Sequence, residues 1–199
     1  MTPSSPISAE PTPRHVALVG AMGAGKSEVG RRLARRLGRP FVDIDELVES
    51  GAGLSIAELF ERDGEEGFRA RESDALAAAL SSALSSALSS AVESPPAVVA
   101  TGGGAVLDAR SRRLLRERAL VVWLRVTPDA AAARIGPDAS RPLLVGGARQ
   151  ALTRLIAERE PLYRQVSHEV VETDGADIDQ IVDDLVDLLN PMGSGRAEP

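Results

Sequence analysis

Apolar residues fall in short runs separated by amphipathic stretches, and this alternation predicts the elements in order. His15–Val19 is a compact β run, followed by a glycine-rich turn and a helix through about Leu37, closed by Gly38 and Pro40. Phe41–Ile44 predicts a second strand. Ser55 is placed to cap a short helix, with Glu58 three residues on completing a capping box, and a longer helix runs from about Glu65 into the eighties. Ala97–Thr101 and Leu120–Val126 predict the third and fourth strands. Asp108 is placed to cap a helix to about Glu117, and Pro128–Arg134 begins another. A helix from Ala148 to about Arg164, a fifth strand at Glu169–Glu172 and an amphipathic helix at Asp177–Leu189 complete the pattern. Short strands alternating with helices predict an α/β fold, here three-layer α/β/α around a five-stranded parallel sheet with right-handed crossovers.

The flanks and two internal stretches lack this pattern. Residues 1–13 read as a disordered arm and residues 191–199 as a disordered tail, leaving 14–190 as one domain. The stretch at about 81–94 is low in complexity, built on SSALSSALSS. Leu76, Leu80, Leu84, Leu88 and Val92 recur every four residues there, as in a helix extension that frays before Pro95 and Pro96. Residues 136–147 form a loop opened by Gly136-Pro137 and closed by Gly146-Gly147.

Composition narrows the function. At 199 residues and 43% hydrophobic the chain can bury a full core without disulfides or a structural metal. It has no cysteine, which excludes thiolate zinc sites, iron–sulfur clusters and cysteine nucleophiles. Only 3% aromatic residues argue against a stacking surface for single-stranded nucleic acid, and a net charge of −6 argues against generic binding to DNA or an anionic membrane. The run Ala119–Leu124 is far short of a membrane span, and residues 1–13 have no signal-like apolar stretch, so a cytoplasmic location is expected. Among 23 basic residues there is a single lysine, Lys26, where a compact ammonium is needed and a guanidinium does not fit.

That lysine sits in Gly20-Ala21-Met22-Gly23-Ala24-Gly25-Lys26-Ser27, which matches the phosphate-binding pattern G-x-x-x-x-G-K-S/T. The motif follows a strand and opens a helix, as its mechanism requires. Its glycines let backbone N–H groups turn inward as an anion nest, Lys26 reaches the β- and γ-phosphates, and the Ser27 hydroxyl can ligate Mg²⁺. A nucleoside triphosphate is the implied ligand. Glu28, just after Ser27, suits the helix dipole but adds negative charge near phosphates. The single lysine leaves none for the guanine-reading N-K-x-D of many GTPases. The third strand ends in Thr101-Gly102-Gly103-Gly104 with no carboxylate, so the acid supporting the metal comes from Asp43-Ile44-Asp45. Strand alternation places Asp43 and Asp45 on the same side at the carboxyl edge of the sheet. One of them can stand behind Mg²⁺ while the other meets an acceptor hydroxyl; Asp45 can alternatively cap a helix over Glu46–Glu49.

GAMGAGKS, VDID, GEEGFRARE, TGGGAV, RPLL and ERxPLY (Glu158–Tyr163) occur in that order over roughly Val16–Ile181. In this the chain resembles the shikimate kinases, which are nucleoside monophosphate kinase-like P-loop proteins with a mobile lid. The resemblance implies transfer of the ATP γ-phosphoryl to the 3-hydroxyl of shikimate, with Mg²⁺, on the route to aromatic amino acids. It implies that Gly23, Ala24, Gly25, Lys26, Ser27 and Glu28 bind ATP, with Arg134 beside the adenine. Ser27 and Asp43 then serve the metal, and Asp45 holds the acceptor hydroxyls and acts as base. Arg69 and Arg159 grip the acceptor carboxylate, Gly102, Gly103 and Gly104 let backbone approach it, and Arg141 reaches the transferring phosphate from a lid over 136–147. The residue chemistry agrees, since two arginines can clamp a carboxylate bidentately. In isolation Arg69 reads equally as a solvated helix charge beside Glu65, Glu66 and Glu72, and Arg159 as an ion pair with Glu158 or Glu160.

The acidic stretch Thr173–Asp177 receives no site. The expected partners are ATP and shikimate, with no nucleic acid or membrane, and a monomer. Two alternatives stand beside this: another small-molecule kinase of the same fold, gluconate- or nucleotide-directed, and an ATP-binding regulatory module without phosphotransfer. The paired arginines and triple glycine disfavour the first, and the presence of Asp45 and Arg141 disfavours the second.

Overall fold

β1 (His15–Val19) forms the centre of a parallel sheet in the computed structural model, which describes residues 14–81, 96–135 and 148–189. It pairs with β3 (Val98–Ala100) on one side and β4 (Ala119–Arg125) on the other. β2 (Phe41–Asp43) extends the sheet beyond β3, and β5 (Glu169–Glu172) extends it beyond β4, giving the order β2-β3-β1-β4-β5. The expected arm, the insert beyond Ser81, the lid with Arg141 and the C-terminal tail lie outside the described residues.

Helices cover both faces, so the central strands carry near-continuous apolar runs. Val16 and Leu18 point to one layer, meeting Val29 and Leu33 of α1 (Lys26–Leu37), Ala131 of α5 (Pro128–Ile135) and Val182 of α7 (Ile178–Leu189). Ala17 and Val19 point to the other, meeting Ile44 of α2 (Ile44–Ala52), Leu59 and Leu76 of α3 (Ile56–Ala79) and Leu115 of α4 (Ala109–Arg118). α6 (Ala148–Val166) serves both, sending Leu152 to the first layer and Tyr163 and Val166 to the second. Each fully buried Leu or Ile contributes about 1.5–3 kcal/mol. The layered α/β/α expectation is borne out.

Local chemistry sets the element ends. The Ser55–Glu58 capping box forms, and Asp108 caps α4 by accepting from Ser111 N–H. The two helices expected either side of Glu65 run on as α3 across one non-helical residue, Gly64 (φ 71°, ψ −178°). α3 ends at Ala79 rather than in the eighties, because the Ser81 hydroxyl takes the Ala78 carbonyl. The second strand stops at Asp43, one residue short of expectation. Asp43 accepts the Asp45 N–H and caps α2, so Ile44 is already helical.

Candidate active site

The carboxyl ends of β1, β2 and β3 open into one cavity of about 480 Å³. Its lining joins Lys26 and Ser27 of the P-loop, Asp43 and Asp45, Arg69 and Glu72 of α3, Gly102 to Gly104, and Arg159 of α6. The sequence-predicted acceptor and metal residues therefore converge from five separate segments.

α1 begins at Lys26 behind Gly25, which sits at φ 88° and offers no side-chain cap. The first N–H groups of the helix are thus left for an anionic ligand. Lys26 Nζ donates to the Gly20 and Ala21 carbonyls, 2.9 Å each, and so lies over the loop. Glu28 turns outward to pair with Arg32 at 2.8 Å, so its charge is directed away from the nest. Arg134 donates to the Gly23 carbonyl at 3.2 Å and to the hydroxyl and carbonyl of Thr173, clasping the loop after β5 to the P-loop.

Ser27 donates to Asp43 Oδ2 at 2.6 Å. Mg²⁺ keeps most of its waters and binds phosphate oxygens, so it needs only one or two protein oxygens. A hydroxyl backed by a buried carboxylate fits that requirement. Among the described residues no group of three or more His, Asp or Glu side chains offers an all-protein cage.

Asp43 and Asp45 do not alternate along one strand, as the sequence suggested. Asp43 ends β2 and Asp45 stands in the first turn of α2, yet both line the cavity because the cap folds the chain over at Ile44. The cap falls to Asp43, not Asp45.

Neither arginine is a solvated surface charge: Arg159 is buried, and the Arg69 side chain is partly buried at 15% exposed. Arg69 Nη1 donates to Glu72 at 2.6 Å, and Nη2 pairs with Glu65 at 3.3 Å. Arg159 is 7% exposed and donates to the Gly103 carbonyl, with neither neighbouring glutamate as partner. Glu72 is 2% exposed. Burial pushes its carboxyl above the usual range, Arg69 opposes that, and the charge of Asp45 adds to it. Its Oε1 and the Arg69 Nε are buried with no protein partner, two orphaned groups beside the cavity. Sequence reasoning treated Glu72 only as a neighbour of Arg69; the R-x-x-E spacing of one helical turn was the signal available.

The three glycines divide their work. A β-carbon at Gly102 would collide with Glu72 Oε1 and approach Asp45 Oδ1, and one at Gly104 would collide with the Arg69 guanidinium. Gly103 instead abuts Met22 of the P-loop and gives its carbonyl to Arg159 and Tyr163. Phe60 and Phe68, with ring centroids 4.7 Å apart and planes tilted by 35°, complete an apolar wall that sequence reasoning missed.

A phosphate nest leading into a helix on this sheet order, sharing one cavity with Arg69 and Arg159, defines a P-loop phosphotransferase of the nucleoside monophosphate kinase-like class. A family model described as shikimate kinase matches residues 22–190. The chain belongs to the shikimate kinase family, and its reaction is phosphoryl transfer to an alcohol group. A shikimate kinase of Francisella tularensis subsp. novicida is 41% identical over 177 residues, covering 88% of this chain and 94% of that protein. The structure of a shikimate kinase from Acinetobacter baumannii in complex with shikimate superposes with a TM-score of 0.80 at 36% identity, covering 94% of this chain and 97% of that one. Shikimate kinase from Bacteroides thetaiotaomicron gives 0.74 at 30% identity, covering 89% and 98%. A gluconokinase from Sinorhizobium meliloti, at 16% identity and 0.53, shares the fold alone.

Proposed function

We propose that this chain moves the γ-phosphoryl of ATP to the 3-hydroxyl of shikimate, releasing ADP, with the residues of the cavity in the following roles. The P-loop from Gly23 to Ser27, with the N-terminal N–H groups of α1, holds the phosphates. Lys26 supplies positive charge to the transferring group. Arg134 flanks the adenine, consistent with its clasp between the P-loop and Thr173. Ser27 and Asp43 hold Mg²⁺, which neutralises charge on the phosphates when bound. Arg141, in the stretch expected to be a lid, reaches the phosphate when water is excluded.

Asp45 orients the attacking hydroxyl and takes its proton. Arg69, Arg159 and the Gly103–Gly104 backbone receive the acceptor carboxylate. The observation that carries this reading is the placement of two arginines, Arg159 buried and Arg69 partly buried, in the wall of the cavity that begins at Lys26. A neutral acceptor, with no carboxylate to clamp, makes poor use of such a pair. A cytoplasmic monomer with ATP and shikimate as its partners, and no membrane or nucleic acid partner, completes this reading.

The test is ATP consumption with and without shikimate, with the product identified by mass. A shikimate-dependent gain of one phosphate is expected. Asp45→Asn should lower kcat by about 10²–10⁴-fold while ATP affinity, titrated directly, holds. ATP binding that falls in step with kcat would move Asp45 to the metal.

A further inference from the structure

Tyr163 lies one helical turn beyond Arg159 on α6, so the two share a face. Its side chain is fully buried, and its ring stacks on Trp123 of β4 with centroids 5.8 Å apart and planes at 26°. A buried phenol needs a partner for its hydroxyl. This one donates to the carbonyl oxygen of Gly103 at 2.5 Å, the same oxygen that accepts from Arg159 Nη1 at 3.3 Å. Burial pushes the Tyr163 hydroxyl up to about 12, so it remains a donor at any working pH.

Two donors from one helix thus meet on a single carbonyl in the segment least able to hold itself, three glycines in a row. The adjoining turns close on Gly102 and Gly104, through the N–H groups of Ala105 and Leu107, while the Gly103 carbonyl is drawn out to α6. The peptide bonds of the described residues are all trans, and in a trans peptide the N–H points away from the preceding carbonyl. Fixing the Gly103 oxygen therefore fixes the direction of the Gly104 N–H. Tyr163 stands behind the turn, outside the cavity lining, whereas Gly104 and Arg159 are part of it.

We propose that Tyr163 is a positioning residue for acceptor recognition. Its hydroxyl holds the Gly103 carbonyl so that the Gly104 N–H and the Arg159 guanidinium are presented together to the acceptor carboxylate. This rests on the carboxylate reading given above. Tyr163 touches no substrate, and its effect passes through Gly103.

The experiment compares the full chain and its Tyr163→Phe variant on shikimate and on shikimate methyl ester, beside ATP titration and thermal unfolding. The phenyl ring keeps the stack on Trp123 and removes only the donor. The KM for shikimate should rise about three- to tenfold, with a smaller change in kcat, unchanged ATP affinity and no change in KM for the ester. Trp123→Leu, which removes the ring backing the phenol but keeps the hydroxyl, is the second variant and should raise the same KM to a lesser degree. A lowered melting temperature with an unmoved KM for shikimate means a purely structural hydroxyl and overturns the proposal. The wild-type chain separates the two levels of inference. If it prefers the acid while Tyr163→Phe does not alter KM, the role of Tyr163 alone fails; if it uses acid and ester equally, the carboxylate reading fails first.

Discussion

Ser27 and Asp43 are joined by a 2.6 Å hydrogen bond that ties the first turn of α1 to the end of β2, across the intervening strand β3. The carboxylate spends its other oxygen on the Asp45 N–H, so one side chain aligns the Ser27 hydroxyl and starts the helix that carries Asp45.

Asp43→Asn keeps the size of the group but removes the charge behind Ser27. Partners of this kind cost about 10–100-fold in metal affinity or activity when lost. The apparent Mg²⁺ requirement should rise by that order in activity titrations, with the fold retained by circular dichroism. An unaltered Mg²⁺ dependence would remove Asp43 from the metal site.

Arg69, partly buried, and Glu72, fully buried, form an ion pair in which the guanidinium offsets the burial of the carboxylate. Arg69→Ala leaves the Glu72 carboxylate uncompensated, a change that typically costs about 3–5 kcal/mol. Urea unfolding should register that loss, and shikimate KM should rise. Adding Glu72→Gln to Arg69→Ala should recover much of the stability and none of the acceptor affinity. Arg159→Ala, which leaves no such carboxylate behind, should raise KM with a smaller loss of stability.

At Gly102 the missing side chain is the point. Alanine there would drive its methyl into Glu72 and toward Asp45. Gly102→Ala should therefore weaken acceptor use far more than ATP binding, which is read by kinetics on shikimate beside direct nucleotide titration. Equal loss of both would show a general collapse of the turn.

His15 lies at the opposite edge of the sheet, where its Nδ1 accepts the Ala97 N–H at 3.1 Å. Burial, with help from the charges of Arg39 and Arg118, lowers its pKa below the ordinary value of about 6.5. The unfolded chain then binds more protons than the folded one below neutrality, so stability rises with pH through this window. The contribution is whole above about pH 6.5 and is lost as pH falls from there through the lowered folded value. Urea midpoints at pH 7.5 and pH 5.5 should differ, and His15→Asn should reduce that difference. An identical difference in the variant would assign the effect to other groups.

The strands, the P-loop and many of the residues that line the cavity were legible in the sequence, because each is a local pattern: a β run, a glycine spacing, a charged residue at a strand end. Element limits depended on side chains competing for backbone groups. Ser81 ends α3 and Asp43 ends β2 through bonds that periodicity does not encode. Glu72 was missed because an i,i+3 ion pair looks the same on paper whether it is solvated or sealed. The split among Gly102, Gly103 and Gly104 was invisible for a related reason. It follows from which groups of α2, α3 and α6 reach each glycine, and that is decided by packing across the sheet.

Outside the P-loop and Asp43, the cavity lining comes from residues between Asp45 and Gly104 and, on α6, from Leu152, Leu155 and Arg159. The P-loop and α1 precede that stretch and meet it through the pairing of β1 with β3, the Arg31–Glu46 ion pair and Met22 beside Gly103. Such an arrangement behaves as an engine with an exchangeable tool head. Transplanting residues 44–104 together with α6 from a relative with a different acceptor would leave the phosphate machinery in place, so this boundary is where new alcohol specificities can be grafted or evolve.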